Sequence, residues 1–279
     1  MLKIMRCLVN TYRTVSVLMA VYRNDDPKAF WQALQSITLM QNVKPNEVVL
    51  VIDGPINSEL EAVVKNFSLN FQSFKVIRNE RNIGLALSLR KGVTACTGDL
   101  IARMDSDDVA MGNRLEAQLN VIDKGFDVIY SSSKEFEGSI DNVHGLNIAP
   151  PSKNLRKVMN YRNPIVHPSV LMKKELVLKV GNYRDLRLFE DYDLFLRLLN
   201  YGALFYGIQE PLIYFRVSKE LRGRRGGFSY FRKGLAAKRI WMGEKLINKW
   251  HGSLSILPFF VFSCGGDFVK KVVYKILRK

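Results

Sequence analysis

Short unbroken apolar runs alternate along the first hundred residues with stretches whose apolar positions recur every three or four residues. Val15–Tyr22 (VSVLMAVY) is such a run, rich in β-branched residues and closed by the polar Arg23-Asn24-Asp25-Asp26-Pro27. It predicts a buried strand and its exit loop. Ala29–Leu39 places Phe30, Leu34 and Ile37 at helical spacing, and Glu47–Ile52 (EVVLVI) is a second buried run, stopped by Asp53-Gly54-Pro55. The same reading gives a helix over Leu60–Phe67, a strand over Phe74–Ile77, a helix over Leu85–Ala95 and a strand over Leu100–Met104. Arg114–Lys124 then reads as a helix and Asp127–Ser131 as a strand.

Strands that alternate with helices predict an α/β fold whose mostly parallel sheet is covered by helices on both faces. In open sheets of this kind ligands bind beyond the carboxyl ends of the strands. Three of the predicted strands end in polar groups with chemical potential: Tyr22-Arg23, Asp53, and the run Asp105-Ser106-Asp107-Asp108. Further on, the polar stretch Lys134–Asn154 predicts loops or a hairpin. Asn163–Leu171 sets His167 between Pro164 and Pro168. Asp191–Leu199 reads as an amphipathic helix with Glu190 and Asp191 in its first turn.

Composition narrows the class. With 279 residues, 47% apolar and 24% charged, the chain is large enough for a full core and too apolar for global disorder. Cys7, Cys96 and Cys264 are odd in number and far apart, forming neither a metal spacing nor a disulfide framework. The start, MLKIMRCLVNTYR, lacks the apolar core of a signal peptide, and no window matches the ~18 uninterrupted apolar residues of a membrane span. The charge is uneven. Sixteen of the Lys and Arg residues lie from Arg216 onward, against three Asp or Glu, so a strongly cationic tail follows a nearly balanced body. Such a tail suits nucleic acid, anionic lipid or an acidic polymer.

Each candidate group has a plain structural explanation beside the chemical one. Asp105 and Asp107, one residue apart behind a strand, suit a hard divalent cation such as Mg²⁺ or Mn²⁺; an exposed Asx-type turn has the same composition. Asp53 can accept a hydrogen bond from a base N–H, or simply end a strand in an Asp-Gly turn. Asn82-Ile83-Gly84 precedes a helix and permits close approach of a phosphate, while an N-cap by Asn82 explains it equally. Arg81, Arg90 and Arg103 can neutralise a diphosphate or serve as surface charges. The Glu190-Asp191 pair suits a helix N-terminus, and Asp191 there can act as a general base. His167 is either structural or part of the floor of an acceptor pocket.

These separate signals fall in a known order: AVYRND, VLVIDGP, NERNIGLALSLRKGVTACTGDLIARMDSDD, NPIVHPSVLMKKELVLKVGNYRD, FEDYDLFLRLLNYG and PLIYFRVS. Over residues 15–218 the chain resembles bacterial family 2 glycosyltransferases, especially those of exopolysaccharide (amylovoran-type) and lipopolysaccharide O-antigen assembly. The resemblance implies a GT-A fold, with a nucleotide-sugar half over 15–108 and an acceptor half over 109–218. It implies that Val21, Tyr22, Asp53, Asn82, Gly84, Arg103 and Asp105 border the nucleotide, and that Asp105 and Asp107 hold Mn²⁺ or Mg²⁺. Asp191 is then the catalytic base, supported by Glu190, with His167 and Arg216 on the acceptor and diphosphate side. Relatives tend to carry Asn where this chain has Arg90.

The implied reaction is an inverting transfer from a nucleotide sugar, UDP-linked, to a saccharide hydroxyl. The implied acceptor is linked to undecaprenyl diphosphate, at the cytoplasmic face of the plasma membrane. Residues 1–14 match nothing and form an extension. Residues 219–279 form a basic appendage in which LSILPFFVF and DFVKKVVYKILRK combine apolar and cationic character, suited to an anionic membrane surface or to packing on the body. A nucleic-acid-binding module would share the basic tail but would not need ordered carboxylates, and no nucleic-acid recognition motif is present. A sugar nucleotidyltransferase would carry a Gly-rich basic loop where this chain reads YRNDDPKAF.

Overall fold

The computed structural model describes residues 13–217, 223 and 226–266. The chain begins with β1 (Val15–Val21), α1 (Pro27–Ile37), β2 (Glu47–Ile52), α2 (Ser58–Asn70), β3 (Phe74–Arg78), α3 (Leu85–Ala95) and β4 (Leu100–Arg103). These four strands lie in the order β3-β2-β1-β4 and all their pairings are parallel, as right-handed strand–helix–strand units require. Alternation along β1 splits its side chains between two cores. Val17, Met19 and Val21 pack with Phe30, Leu34 and Ile37 of α1 on one face. Leu18 packs with Leu89 and Val93 of α3 on the other. Full burial of each of these aliphatic or aromatic side chains is worth roughly 1.5–3 kcal/mol. Helix α3 presses close enough that a Cβ on Gly92 would sit 2.3 Å from Leu18 Cδ1.

The second half turns the sheet from parallel to mixed. It contains β5 (Val109–Ala110), α4 (Arg114–Ile122), β6 (Val128–Phe136), β7 (Val143–Asn147), α5 (Ser152–Met159), β8 (Leu171–Lys173), α6 (Lys174–Lys179), α7 (Glu190–Tyr201) and β9 (Phe205–Arg216). Strand β8 joins β4 antiparallel, β6 follows, and β9 runs parallel to β6, so one nine-stranded sheet carries both halves. The predicted parallel sheet is thus the amino-terminal part of a longer mixed one.

Several boundaries differ from the sequence reading for identifiable reasons. Helix α1 starts at Pro27, because Asp26 is its N-cap, accepting from Ala29 N–H at 2.8 Å, and proline fits the first helical position. Strand β6 runs on through Ser131-Ser132-Ser133 to Phe136; the three serines interrupt the apolar pattern but are buried in the ladder, Ser132 Oγ accepting from Ala149 N–H. Strand β7 is the return arm of the hairpin expected in 134–154. The short α5, α6 and β8 leave no periodic signature in the sequence.

After β9, α8 (Gly227–Gly243), α9 (Lys249–Leu254) and α10 (Ile256–Cys264) form a helical unit against α7. Trp241, Leu246 and Ile247 are buried in the same core as Tyr192 and Phe195. The first twelve residues, Arg222, Arg224, Arg225 and the DFVKKVVYKILRK segment lie outside the described residues. Among the described residues no helix is long and apolar enough to cross a membrane.

Candidate active site

The carboxyl ends of β1, β2 and β4 meet at one edge of the sheet, and the acidic residues gather there. Strand β4 ends at Arg103 and delivers Asp105, Asp107 and Asp108, whose carboxylate oxygens lie within 4.8 Å of one another. A fourth carboxylate joins them from the β1 exit loop: Asp25 Oδ2 accepts from Ser106 Oγ–H at 2.9 Å and from Tyr22 N–H at 3.0 Å. Burial, with the charges of Asp107 and Asp105 behind it, pushes Asp25 up to about 7. Burial and Asp105 push Asp107 up to about 6, and burial raises Asp108 well above the carboxylate range.

Two arginines hold this cluster. Arg103 is fully buried and ion-paired with Asp105, while its Nε and Nη1 have no protein partner. Arg216, at the end of β9, donates from its backbone N–H to Asp108 Oδ1 at 2.7 Å and from Nε to the Asp107 carbonyl at 2.7 Å. Its guanidinium also donates to the Gly138 carbonyl and lies over the Phe136 ring, 4.4 Å from the centroid. Arg216 thus anchors the acidic turn to the far strand. The carboxylates fit a hard divalent cation. Three converge, burial holds two of them toward the neutral form, and Asp108 Oδ2 is buried without a hydrogen-bond partner.

At the end of β2, Asp53 is turned onto the neighbouring loop. Its Oδ1 accepts from Ile83 N–H and Asn79 Nδ2, and its Oδ2 from Gly84 N–H at 2.9 Å. Three acceptor positions are therefore taken, and one on Oδ2 is left. Asn82 does not cap α3: it donates to the Asp53 carbonyl, and Gly84, at φ +93°, is the N-cap, with no side-chain capping bond. Gly54, at φ +88°, is needed here, because a Cβ would meet Asn82 N at 2.6 Å. Val21 accepts at its carbonyl from Asp53 N–H, tying the ends of β1 and β2 together. Arg90 Nη1 reaches the Tyr183 carbonyl at 3.5 Å.

The carboxylate pair opening α7 completes the cleft. Asp191 accepts from Tyr192 N–H through Oδ1 and from Asn163 Nδ2 at 2.9 Å through Oδ2. Glu190 is buried, and burial together with Asp191 pushes it up to about 7. Arg103 lies within electrostatic reach of Glu190 and of Tyr183, and Tyr183 in turn feels Asp105, Glu190 and Asp191. Tyr183 and Arg103 therefore lie within electrostatic reach of both the acidic turn and the carboxylate pair. His167 lies beneath, its Nε2 2.8 Å from Tyr183 Oη, and burial lowers it well below its ordinary value, so the ring is neutral. The structure brings Tyr22, Arg103, Asp105, Asp107, Glu190, Asp191, His167 and Arg216 to one edge, with Asp53, Asn82 and Gly84 joined to it at the α3 N-terminus.

Residues 16–180 match the family model for glycosyl transferase family 2. The chain belongs to the family 2 glycosyltransferases. The glycosyltransferase is 38% identical, over 95% of its length and 96% of the relative's, to the Escherichia coli UDP-Gal:alpha-D-GlcNAc-diphosphoundecaprenol beta-1,3-galactosyltransferase. It is 28% identical to the amylovoran biosynthesis glycosyltransferase AmsE of Erwinia amylovora, over 87% of this chain and 91% of that one. Among solved structures it superposes on S. aureus TarS 1-349, crystallised in complex with UDP-GlcNAc, with a TM-score of 0.67 at 17% identity, covering 90% of this chain and 73% of that one. That likeness shows the GT-A fold, a central sheet flanked by helices.

Sequence reasoning missed Asp25, Asp108, Tyr183 and Asn163 in this enzyme. Asp25 and Asp108 had a signal, since both stand in post-strand loops at the edge where ligands bind. Tyr183 and Asn163 had none, because their place depends on how the α6–α7 and α5–β8 loops fold back.

The raised carboxylates have a consequence for stability. A carboxylate whose folded pKa lies above its unfolded value binds more protons when folded, so its contribution is lost as pH rises from ~4 through the folded pKa. Asp107 at about 6 and Asp25 at about 7 place that loss between about pH 4 and pH 7. A divalent cation favours the ionised forms and reverses it. The rise in Tm produced by saturating Mn²⁺ or Mg²⁺ is therefore expected to be larger at pH 8 than at pH 5.5; equal rises, or a larger one at pH 5.5, would contradict the cation site.

Proposed function

We propose that this glycosyltransferase moves a sugar from a UDP-sugar to a hydroxyl of a saccharide carried on a lipid diphosphate, inverting the anomeric centre, in bacterial surface polysaccharide assembly. The observation that carries the reading is the meeting, through the buried Arg103, of the acidic turn and the Glu190–Asp191 pair. The relative named above makes UDP-galactose and GlcNAc-diphosphoundecaprenol the first pair to assay.

Asp105 and Asp107, with Asp108 beside them, would hold Mn²⁺ or Mg²⁺, which when bound offsets the charge gathering on the leaving diphosphate. The ends of β1 and β2, with Val21, Tyr22 and the remaining acceptor position of Asp53, border the nucleoside, beside the α3 N-terminus whose Gly84 N–H is held by Asp53. The two carboxylates of α7 are set apart by their surroundings. Burial draws Glu190 toward its neutral form, while Asp191 accepts hydrogen bonds at its two oxygens from Tyr192 N–H and Asn163 Nδ2. Asp191 is thus suited to take the proton from the acceptor hydroxyl as it attacks the anomeric carbon from the face opposite the diphosphate. Arg103 holds Asp105 on one side and moderates Glu190 on the other.

The lipid-linked acceptor places the work at a membrane surface, on the inner leaflet where nucleotide sugars are made. Trp250 and Leu254 on α9 and Leu257 and Val261 on α10 are exposed, each pair at a spacing of four. Exposed Arg232, Lys233, Arg239, Lys245 and Lys249 lie on the same helical unit. Exposed apolar side chains among cations fit the interface of an anionic bilayer. The unit also packs on the segment before Asn163, Tyr161 meeting His251 with ring centroids 5.1 Å apart.

Asp191→Asn is expected to abolish galactosyl transfer, a loss of about 10²-fold or more, while UDP still raises Tm as in wild type. Normal turnover by the variant removes Asp191 from the base role. Co-sedimentation with vesicles containing anionic lipid is expected for the wild type and to weaken strongly in Leu257→Asp/Val261→Asp. Binding that is absent in wild type, or undiminished in the double variant, would rule out docking by these side chains.

A further inference from the structure

Asp193, one turn into α7 and fully buried, is the meeting point of three segments. Arg184 donates to it from Nε at 2.9 Å and again from Nη2. Arg197 donates from Nε at 2.9 Å and carries on to the carbonyls of Val180 and Asn182. Trp241 of α8 donates from Nε1 at 3.0 Å. Arg184 reaches on to Glu244, one residue past α8, with Nη1 at 2.8 and 3.0 Å from its two carboxylate oxygens. Both ends of the 184–193 segment, which contains Glu190 and Asp191, are thus tied to the carboxyl-terminal helical unit.

The segment between those ties is itself constrained. Leu188 sits at φ +75°, a costly backbone for a leucine. Phe189, the residue before the pair, stacks on Tyr230 at 5.2 Å between centroids and meets Trp241 and Phe259 edge-on. Helix α8 approaches so closely that a Cβ on Gly234 would lie 2.9 Å from Phe189 Cζ and 2.4 Å from the Phe259 ring. An Asp–Arg–Glu ladder and an aromatic wall therefore fix where α7 begins. The match to the family model ends at residue 180, before any of these groups.

We propose that the carboxyl-terminal helical unit is a working part of the active site, and that Arg184 and Trp241, through Asp193, are positioning residues for the Glu190–Asp191 pair. Neither touches a substrate in this account. Each fixes the direction in which the Asp191 carboxylate meets the acceptor hydroxyl, where a displacement of about 1 Å costs on the order of 10² in rate. The inference rests on the base role of Asp191.

The test uses the full chain, with UDP-galactose and GlcNAc-diphosphoundecaprenol as substrates. Trp241→Phe keeps the ring in the aromatic wall and removes only the N–H to Asp193; Arg184→Lys keeps the charge and Arg184→Ala does not. The expected result is a kcat lowered by about 10- to 100-fold in Trp241→Phe and Arg184→Ala, with partial recovery in Arg184→Lys. KM for UDP-galactose and the rise in Tm with UDP should stay at wild-type values, which general loosening of the fold would not leave unchanged. Wild-type kcat in Trp241→Phe and Arg184→Ala, or parallel loss of UDP binding, overturns the proposal. Asp191→Asn measured alongside separates the two ideas: an inactive Asp191→Asn with fully active clamp variants defeats positioning alone, whereas an active Asp191→Asn defeats the base role first.

Discussion

Mutual repulsion among carboxylates is the constraint around which this molecule is arranged. Asp25, Asp105, Asp107 and Asp108 crowd the carboxyl edge of the sheet, and a chain with a net charge of +16 has no general shortage of cations to place there. It spends two arginines on the cluster and buries one of them. Arg103 emerges from the centre of the sheet and pairs with Asp105, and Arg216 clamps the turn from the far strand. Two guanidinium groups facing four carboxylates leave a deficit of positive charge, and burial makes that deficit costly unless protons or a cation relieve it. The position of β9 follows from the same need, since its last residue must reach back to the acidic turn across the sheet.

Function grows from how that cluster is connected. Strand β4 carries Arg103 into reach of both the acidic turn and the α7 carboxylates, so one buried charge is shared by the group suited to hold a cation and the group suited to take a proton. His167, kept neutral by burial, supports Tyr183 from below and adds no competing charge. Strand β4, the turn before β8 and the loop before α7 thus converge on Tyr183, within reach of both carboxylate groups. The carboxyl-terminal unit packs against α7 while leaving Trp250, Leu254, Leu257 and Val261 exposed.

Much of this was legible in the sequence because the first half of the fold obeys simple periodicities. The runs at Glu47–Ile52 and Leu85–Ala95 coincide with β2 and α3 end to end, since both are bounded by turn-forming residues and buried on a regular face. The acidic turn and the α7 pair were readable as local patterns. Long-range geometry was not. Arg216 was expected on the acceptor and diphosphate side, and its bonds to the acidic turn and to Gly138 could not be read from the sequence. The alternative reading of Asn82 as a helix cap fails, because Gly84 at positive φ takes that place and Asn82 donates to the Asp53 carbonyl. Ser131-Ser132-Ser133 hid the extent of β6, because serines buried within a ladder look like a loop when only hydropathy is read. The tail read as a basic appendage, while Trp241 and Glu244 reach groups whose importance no local pattern reveals.

The central claim, that the acidic turn exists to bring a divalent cation and a nucleoside diphosphate together, is tested most directly by calorimetric titration of UDP into the protein. The account predicts measurable binding with Mn²⁺ present, strong weakening after chelation, and the same weakening in Asp107→Asn with Mn²⁺ restored. UDP affinity that is indifferent both to the metal and to Asp107→Asn would contradict it.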